Sequence, residues 1–437
     1  MGGITTIYEF DELLAERDAA AGETHVPDKV FDWLESQCLR TAEDSATAWL
    51  KLTSRQGRRV VKVTSYVGVI QSPDGHQIEV LPKIGKAIGG GEVEARTRLI
   101  DMLRCLGDFQ HIQTDSARLT VTRMPLLEIF IGEFLRAVEH IVKRGLRGDY
   151  TARRDNLFAL RGKLLMAAHL RQNLCRADRF FTEHDEFTTN RPENRLLHTA
   201  LLRVLRLSSS SAHQRLARTL SFVFADVPVS NVPHLDFQRV RLDRGMGCYY
   251  ADALAWARLI LDEMSPLTGT GEHPAPSLLF PMEKVFEAFV AQHLARQLQR
   301  PCRLTTQASS RYLVHHREQN WFQLKPDLLV RNGERNRLVL DTKWKLLDAA
   351  RSQSSERYGL MQSDFYQLHA YGCNYLDAQG DVVLIYPRTG DFDQALPVFD
   401  FPKTQGLRLW VLPFCLRERK LCLPETGELN EFFRPEA

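Results

Sequence analysis

The chain has 437 residues, 44% of them hydrophobic and 25% charged, with a formal net charge of +3. At roughly 150 residues per domain this length holds two or three domains, each large enough for its own core. The balance of charge supplies no global basic field, so any nucleic-acid contact must come from local patches. The eight cysteines are scattered, with no CxxC pair, which argues against a zinc site and against a disulfide framework. The N-terminus lacks a basic segment followed by an apolar one, and no run of about 18 apolar residues occurs. These features predict a cytoplasmic chain without a membrane partner.

Along the chain, residues 4–8 read as a strand and 27–40 as a helix opened by Pro27. A β-rich stretch follows at 48–53, 60–70 and 77–81, with turns at Arg55-Gln56-Gly57 and Pro73-Asp74-Gly75. Residues 85–91 are glycine-rich but lack the GxxxxGK[ST] spacing, which is absent from the whole chain. The chain is therefore expected to bind no nucleotide. Apolar residues at helical spacing predict helices over 92–106 and 125–144, with a strand at 118–122 between them.

From 143 to 176 nine Lys and Arg residues face only Asp149 and Asp155, a candidate phosphate-binding surface against the plainer readings of a solvated helix face or an interdomain salt-bridge network. Asn190 is expected to cap a helix beginning at Pro192, Ser208–His213 to form a polar loop, and 250–263 a further helix. The Pro- and Gly-rich run 265–276 is the best boundary. The expected fold class is α+β and multidomain. An N-terminal β-rich α+β domain takes 1–145, a mainly helical region with a candidate DNA contact 146–275, and an α/β domain with a mixed sheet flanked by helices 276–437.

The last of these carries the chemistry. A helix at 281–299 bears Glu283 and Glu287 one turn apart. Strands are expected at 302–307, 311–316, 322–330 and 337–342, a helix at 357–376, and strands at 381–386 and 407–416. Pro326-Asp327 opens an apolar strand, Asn332-Gly333 is a strong hairpin turn, and Leu338-Val339-Leu340 runs into Asp341-Thr342-Lys343. Asp341 and Lys343 are two apart and so share one side of a sheet. A lone DxK is a weak signal, and surface ion pairs would account for it. The buried strand before it, the Pro-Asp a hairpin earlier, the acidic helix upstream and Gln367-x-x-x-Tyr371 at i,i+4 spacing downstream strengthen it together. His315 and His316 have no carboxylate at ligand spacing, and Ser208–Ser211 has no nucleophile-elbow context.

These features resemble the PD-(D/E)xK nuclease superfamily and its QxxxY variant. The resemblance implies that Asp327, Asp341 and Glu287 (with Glu283 its competitor), together with the Thr342 carbonyl, hold Mg²⁺, for which Mn²⁺ could substitute. Lys343 would orient or deprotonate the attacking water or stabilise charge, and Gln367 and Tyr371 would position the strand. Over residues 60–430 the chain further resembles the McrC family. The segments that carry this are Ile78–Ile84, Leu160–Leu164, Asn190–Leu197, Phe286–Val290, Lys325–Asp327, Leu340–Lys345 and Asp364–Gly372. That resemblance implies the endonuclease subunit of a modified-cytosine restriction and anti-phage system. Its partner would be a hexameric, McrB-like AAA+ GTPase, and its substrate double-stranded DNA bearing modified cytosine such as 5-methylcytosine. The turn at 55–59 and the loop 84–91 are then candidate ring contacts. The other reading is a non-catalytic subunit that binds DNA or only activates the partner.

Overall fold

The computed structural model describes residues 3–20, 22–41, 49–87, 91–106, 124–242, 248–261, 277–353, 355–424 and 428–434. The expected strand at 118–122 and the boundary at 265–276 lie outside these residues. The chain forms two compact units, Met1–Met124 with Leu267–Ala437, and Pro125–Pro266. Both contain helices and sheets, as the mixed composition of the sequence suggested. Among the described residues no helix is long and apolar enough to cross a membrane.

The first unit is tied together by a four-stranded sheet in the order Ile4–Tyr8, Gln77–Leu81, Tyr66–Gln71, Ser277–Pro281. Segments some 200 residues apart in sequence thus share one ladder, pairing Ser277 with Ile70 through Pro281 with Tyr66. Gly68 allows it. Its φ is +133°, and a Cβ there would lie 1.8 Å from the Leu278 carbonyl oxygen. The expected strand 60–70 is in fact two, Arg58–Val63 and Tyr66–Gln71, because the chain leaves one sheet at Thr64-Ser65 and enters another.

Residues 303 to 421 build a seven-stranded sheet whose path runs Arg303–Thr306, Leu328–Asn332, Arg335–Thr342, Gly380–Pro387, Leu407–Cys415, Phe399–Asp400, with Lys420–Leu421 pairing Leu407–Cys415 off that path. The Asn332-Gly333 turn closes an antiparallel hairpin, and Arg335–Thr342 then runs parallel to Gly380–Pro387. Leu338, Val339 and Leu340 are fully buried because the strand is central and covered on both faces. One face packs Val339, Val382 and Leu384 against Leu368, Tyr371 and Tyr375 of the helix Gln362–Tyr375. On the helix Met282–Gln297, Phe286 and Phe289 meet Phe414 edge-on. The expected strand 322–330 is broken at Lys325-Pro326-Asp327. Gln319–Leu324 leaves the sheet to pair only with Arg311–His316. The expected helix 357–376 is also two pieces, a 3₁₀ turn Arg357–Gly359 and the helix from Gln362.

The second unit packs Leu126–Arg144, Pro192–Leu207, Ser211–Val223 and Ala251–Leu261 around buried Phe130, Leu197, Leu201 and Trp256. The helix 126–144, which the sequence suggests belongs with the first domain, has its partners here. Three features differ from expectation. Residues Asp149–Leu157, Lys163–Leu164 and Phe180–Thr188 form a three-stranded sheet within the region read as mainly helical. The helix after Asn190 is capped at Arg191, with Pro192 first in the helix. The Asn190 Oδ1 instead accepts from Arg195 at 2.8 Å. Ser208–His213 is not a plain loop. Ser208, Ser209, Ser210 and His213 all donate to the buried Glu128 carboxylate, which sits at the start of the Ser211–Val223 helix. The basic run is also less free than it reads. Arg153 pairs with Asp155 within the run, and Arg147 with Glu193, Arg153 with Glu186 and Arg154 with Glu183, acids that lie beyond it in sequence.

Candidate active site at the end of the central sheet

Four segments of the first unit converge where the central strand ends. Asp341 is the penultimate residue of Arg335–Thr342 and only 1% exposed. Its Oδ2 lies 2.6 Å from Lys343 Nζ, as the two-residue spacing predicts. The Lys343 ammonium also donates to Gln367 Oε1 at 3.2 Å and stands 3.9 Å from Asp364 Oδ1. Gln367 Nε2 donates to Tyr371 Oη at 2.8 Å, and the Tyr371 hydroxyl donates to the Lys325 carbonyl at 3.0 Å. The QxxxY pair therefore runs as one chain of hydrogen bonds from the lysine back to the residue two before Asp327.

Asp327 lies in the break between strands. Thr342 donates to its Oδ2 twice, from the backbone N and from Oγ1, each at 2.8 Å. Asp327 is thereby locked beside the central strand by one oxygen, leaving Oδ1 without a hydrogen-bond partner among the described residues. Glu287, on the helix Met282–Gln297, is joined to this group through Gln307. Gln307 Nε2 donates to Glu287 Oε1 at 3.1 Å, and its backbone N donates to the Asp327 carbonyl at 2.8 Å. Glu283 points elsewhere, accepting from Ser65 Oγ at 2.5 Å. Of the two helix carboxylates, Glu287 is the one beside Asp327.

Electrostatics follow from this crowding. Burial, and then the nearby Asp327 charge, push the Asp341 carboxyl up to about 7 despite Lys343. Glu287 is raised for the same two reasons. Burial lowers the Lys343 pKa, but Asp341, Asp364 and Asp327 outweigh it and hold the ammonium charged. Carboxylates crowded in this way raise one another's pKa unless positive charge offsets them. Among the described residues no three His, Cys, Asp or Glu side chains close into a ready-made cage. The donor set nevertheless fits Mg²⁺, which takes one or two carboxylates and completes its shell with water and phosphate oxygens. Asp327 Oδ1 and Asp341 would hold it, with the Thr342 carbonyl and Glu287 available to add donors.

Sequence reasoning missed two members. Asp364 accepts from Tyr386 at 3.3 Å and adds a third carboxylate near Lys343. Its signal was its place one turn before Gln367. The other is a buried group on the N-terminal part of the same unit. Trp344 Nε1 donates to Glu9 Oε1 at 2.6 Å, and Lys83 Nζ donates to the Trp344 carbonyl at 3.0 Å. No local pattern links residues 9 and 344. Beside Glu287, a cleft of about 910 Å³ is lined by Arg104, Lys284, Arg296 and Arg419.

A model of the family described as McrBC 5-methylcytosine restriction system component matches residues 61–387, most of the chain. The chain belongs to the McrBC family. Its fold is similar to a chain in the refined half-complex from a tetradecameric assembly of Thermococcus gammatolerans McrB AAA+ hexamers with bound McrC. The two are 20% identical, with a TM-score of 0.69 and 94% of each chain covered. It is also similar to a chain of the Thermococcus gammatolerans McrBC complex, at 22% identity and a TM-score of 0.50 over 67% of this chain and 87% of that one. No curated protein matches the chain. As a member of this family, the chain is a restriction-system component. The candidate ring-contacting turn is a tight Gln56-Gly57 reversal whose arginines are engaged. Arg55 pairs with Glu12, Arg58 with Glu23 and Arg59 with Glu35. Of the loop 84–91, Ile84–Ala87 is a short helix, and 88–90 lie outside the described residues.

Proposed function

We propose that this chain is the Mg²⁺-dependent DNA endonuclease subunit of an McrBC-type system, with a site of PD-(D/E)xK type. It would work with a hexameric AAA+ GTPase and stimulate that partner's hydrolysis. The observation that carries the reading is the convergence of Asp327, Asp341 and Lys343 at one sheet end, with Gln367 and Tyr371 bracing the lysine. Asp327 and Asp341 would hold a divalent cation, which when bound would supply an activated water and offset phosphate charge. The protein's own part is positional. Lys343, charged at neutral pH, stands by the negative charge that develops on the phosphoryl oxygens rather than accepting a proton. Gln367 turns its carbonyl to the lysine and its amide to Tyr371, so the ammonium stays aimed. Glu287, raised by burial, is poised beside Asp327 as a further oxygen donor. The basic cleft beside Glu287 suits a phosphate backbone. The similarity to chains solved with McrB hexamers supports the partner, and the family supports modified-cytosine DNA.

The test uses the purified chain with its AAA+ partner, GTP, Mg²⁺ and cytosine-methylated DNA. Wild type is expected to cut, and Asp341→Ala to lose cutting while still stimulating GTP hydrolysis. Equal cleavage by both proteins would overturn the site. Stimulation without cleavage by the wild type would leave the non-catalytic reading.

A further inference from the structure

The hairpin Arg311–His316 and Gln319–Leu324 has no sheet neighbour among the described residues beyond its own two strands. The helix Gln362–Tyr375 packs against the hairpin and Leu324 is buried at its base, but most of its other residues are open to solvent. The hairpin exposes aromatic and branched side chains. Trp321 is 45% exposed, Phe322 68% and Val314 42%. Val314 lies opposite Trp321, and the Trp321 ring is 5.0 Å from that of His316. Phe322 is held at φ 57°, a left-handed conformation that bulky side chains seldom adopt. Positive charge frames these rings, with Arg311 at the base and Arg317 at the tip, against the single acid Glu318. Exposed rings between cations, with one carboxylate, suit a polyanion that also presents flat apolar surface.

Both feet of the hairpin stand in the candidate active site. At one foot Gln307 bonds Glu287 and the Asp327 backbone. At the other the chain passes from Leu324 through Lys325, whose carbonyl accepts from Tyr371, to Asp327. The hydroxyl of Tyr375, on the helix that bears Gln367, lies within hydrogen-bond reach of the carbonyls of Ala308, at 3.1 Å, and Leu324, at 2.9 Å, which share its one proton. Whatever the hairpin grips is therefore registered against the carboxylates by a handful of short bonds.

We propose that this hairpin is a DNA-gripping ribbon that seats the duplex for cleavage. The major groove of B-DNA admits a two-stranded β-ribbon. Arg311 and Arg317 would meet phosphates, and Trp321 and Phe322 would lie against sugars and base edges. The proposal rests on the nuclease reading for its purpose, but its binding step is measured without catalysis.

Full-length wild type, Trp321→Ala/Phe322→Ala and Arg311→Ala/Arg317→Ala are titrated against a fluorescein-labelled duplex in EDTA, by anisotropy, at several salt concentrations. Thermal unfolding checks that the exposed substitutions leave the fold intact. The aromatic variant is expected to bind the duplex more weakly, through lost apolar contact with base edges and sugars. The arginine variant is expected to lower the salt slope by about 2. With partner, GTP and Mg²⁺, both variants should cut with a raised KM for DNA. Unchanged affinity and slope overturn the proposal, as does failure of the wild type to bind the duplex. Retained DNA binding with lost binding to the AAA+ partner overturns it in favour of a protein-docking face. Hairpin-dependent binding by a wild type that never cuts leaves the hairpin standing and removes the nuclease reading.

Discussion

Two buried glutamates show how position sets the sign of a titration. Burial raises Glu9 to about 7, and Lys83 and the bond from Trp344 offset only part of that cost. Its folded pKa is above the unfolded one, so its contribution is favourable while it is protonated and is lost as pH rises from about 4.5 through 7. Glu9→Gln keeps an acceptor for Trp344 and removes the charge. It should flatten the fall in unfolding temperature between pH 5 and 8, measured calorimetrically in metal-free buffer. Glu128 is the opposite case. Burial raises it, but the bonds from His213, Ser208 and Ser209 prevail and hold it at about 2. Its stabilisation is present above the unfolded pKa and lost as pH falls from about 4.5 towards 2, so Glu128→Gln should make the second unit less sensitive to acid over that window. At the candidate site, Lys343→Met should lower cleavage by about a hundredfold or more, while Tyr371→Phe should lower it far less. Tyr371→Phe removes two hydrogen bonds, each worth about 1 kcal/mol, and leaves the Lys343 charge in place. Single-turnover cleavage rates with partner and Mg²⁺ decide between them.

At the scale of elements, the site depends on a strand break and on a close approach. Pro326 cannot donate to a ladder, and Lys325-Pro326-Asp327 leaves the sheet, which is why Asp327 can turn its carboxylate to Thr342. The hairpin turn at Asn332-Gly333 and the apolar run Leu338–Leu340 were readable because both are local patterns. The division of the expected 322–330 strand was not, since Leu324 and Leu328 are both apolar and only their different sheets separate them. Gly68 is the other element-scale device. Gly68→Ala puts a methyl group into the Leu278 carbonyl and should cost about 3 kcal/mol by breaking the pairing of Tyr66–Gln71 with Ser277–Pro281. Urea denaturation of the full chain would register it as a lowered midpoint, and an unchanged midpoint would count against the tight packing described here.

On the scale of the whole molecule, the first unit joins the two ends of the sequence around one site. Lys83, from the stretch Ile78–Ile84, donates to the backbone of Trp344, next to the lysine of the candidate site. Metal should report on that site as a whole. Mg²⁺ is expected to raise the unfolding temperature of wild type and not of Asp327→Asn/Asp341→Asn, and EDTA to abolish cleavage while leaving the fold intact.

The amino-acid order alone determined which residues the candidate site gathers: an apolar strand delivering Asp341 and Lys343 to one side, a Pro-Asp before it, and Gln367 and Tyr371 one helical turn apart. Those are periods of two and of about four residues, and periodicity is local. The placement of Glu287 rather than Glu283 beside Asp327, the position of Asp364 near Lys343, the Glu9–Trp344 contact and the pairing of the long basic run with Glu183, Glu186 and Glu193 were decided by tertiary structure. Each depends on which distant segments share a sheet or a helix face, and burial and Coulomb energy act through that spatial proximity rather than through separation along the chain.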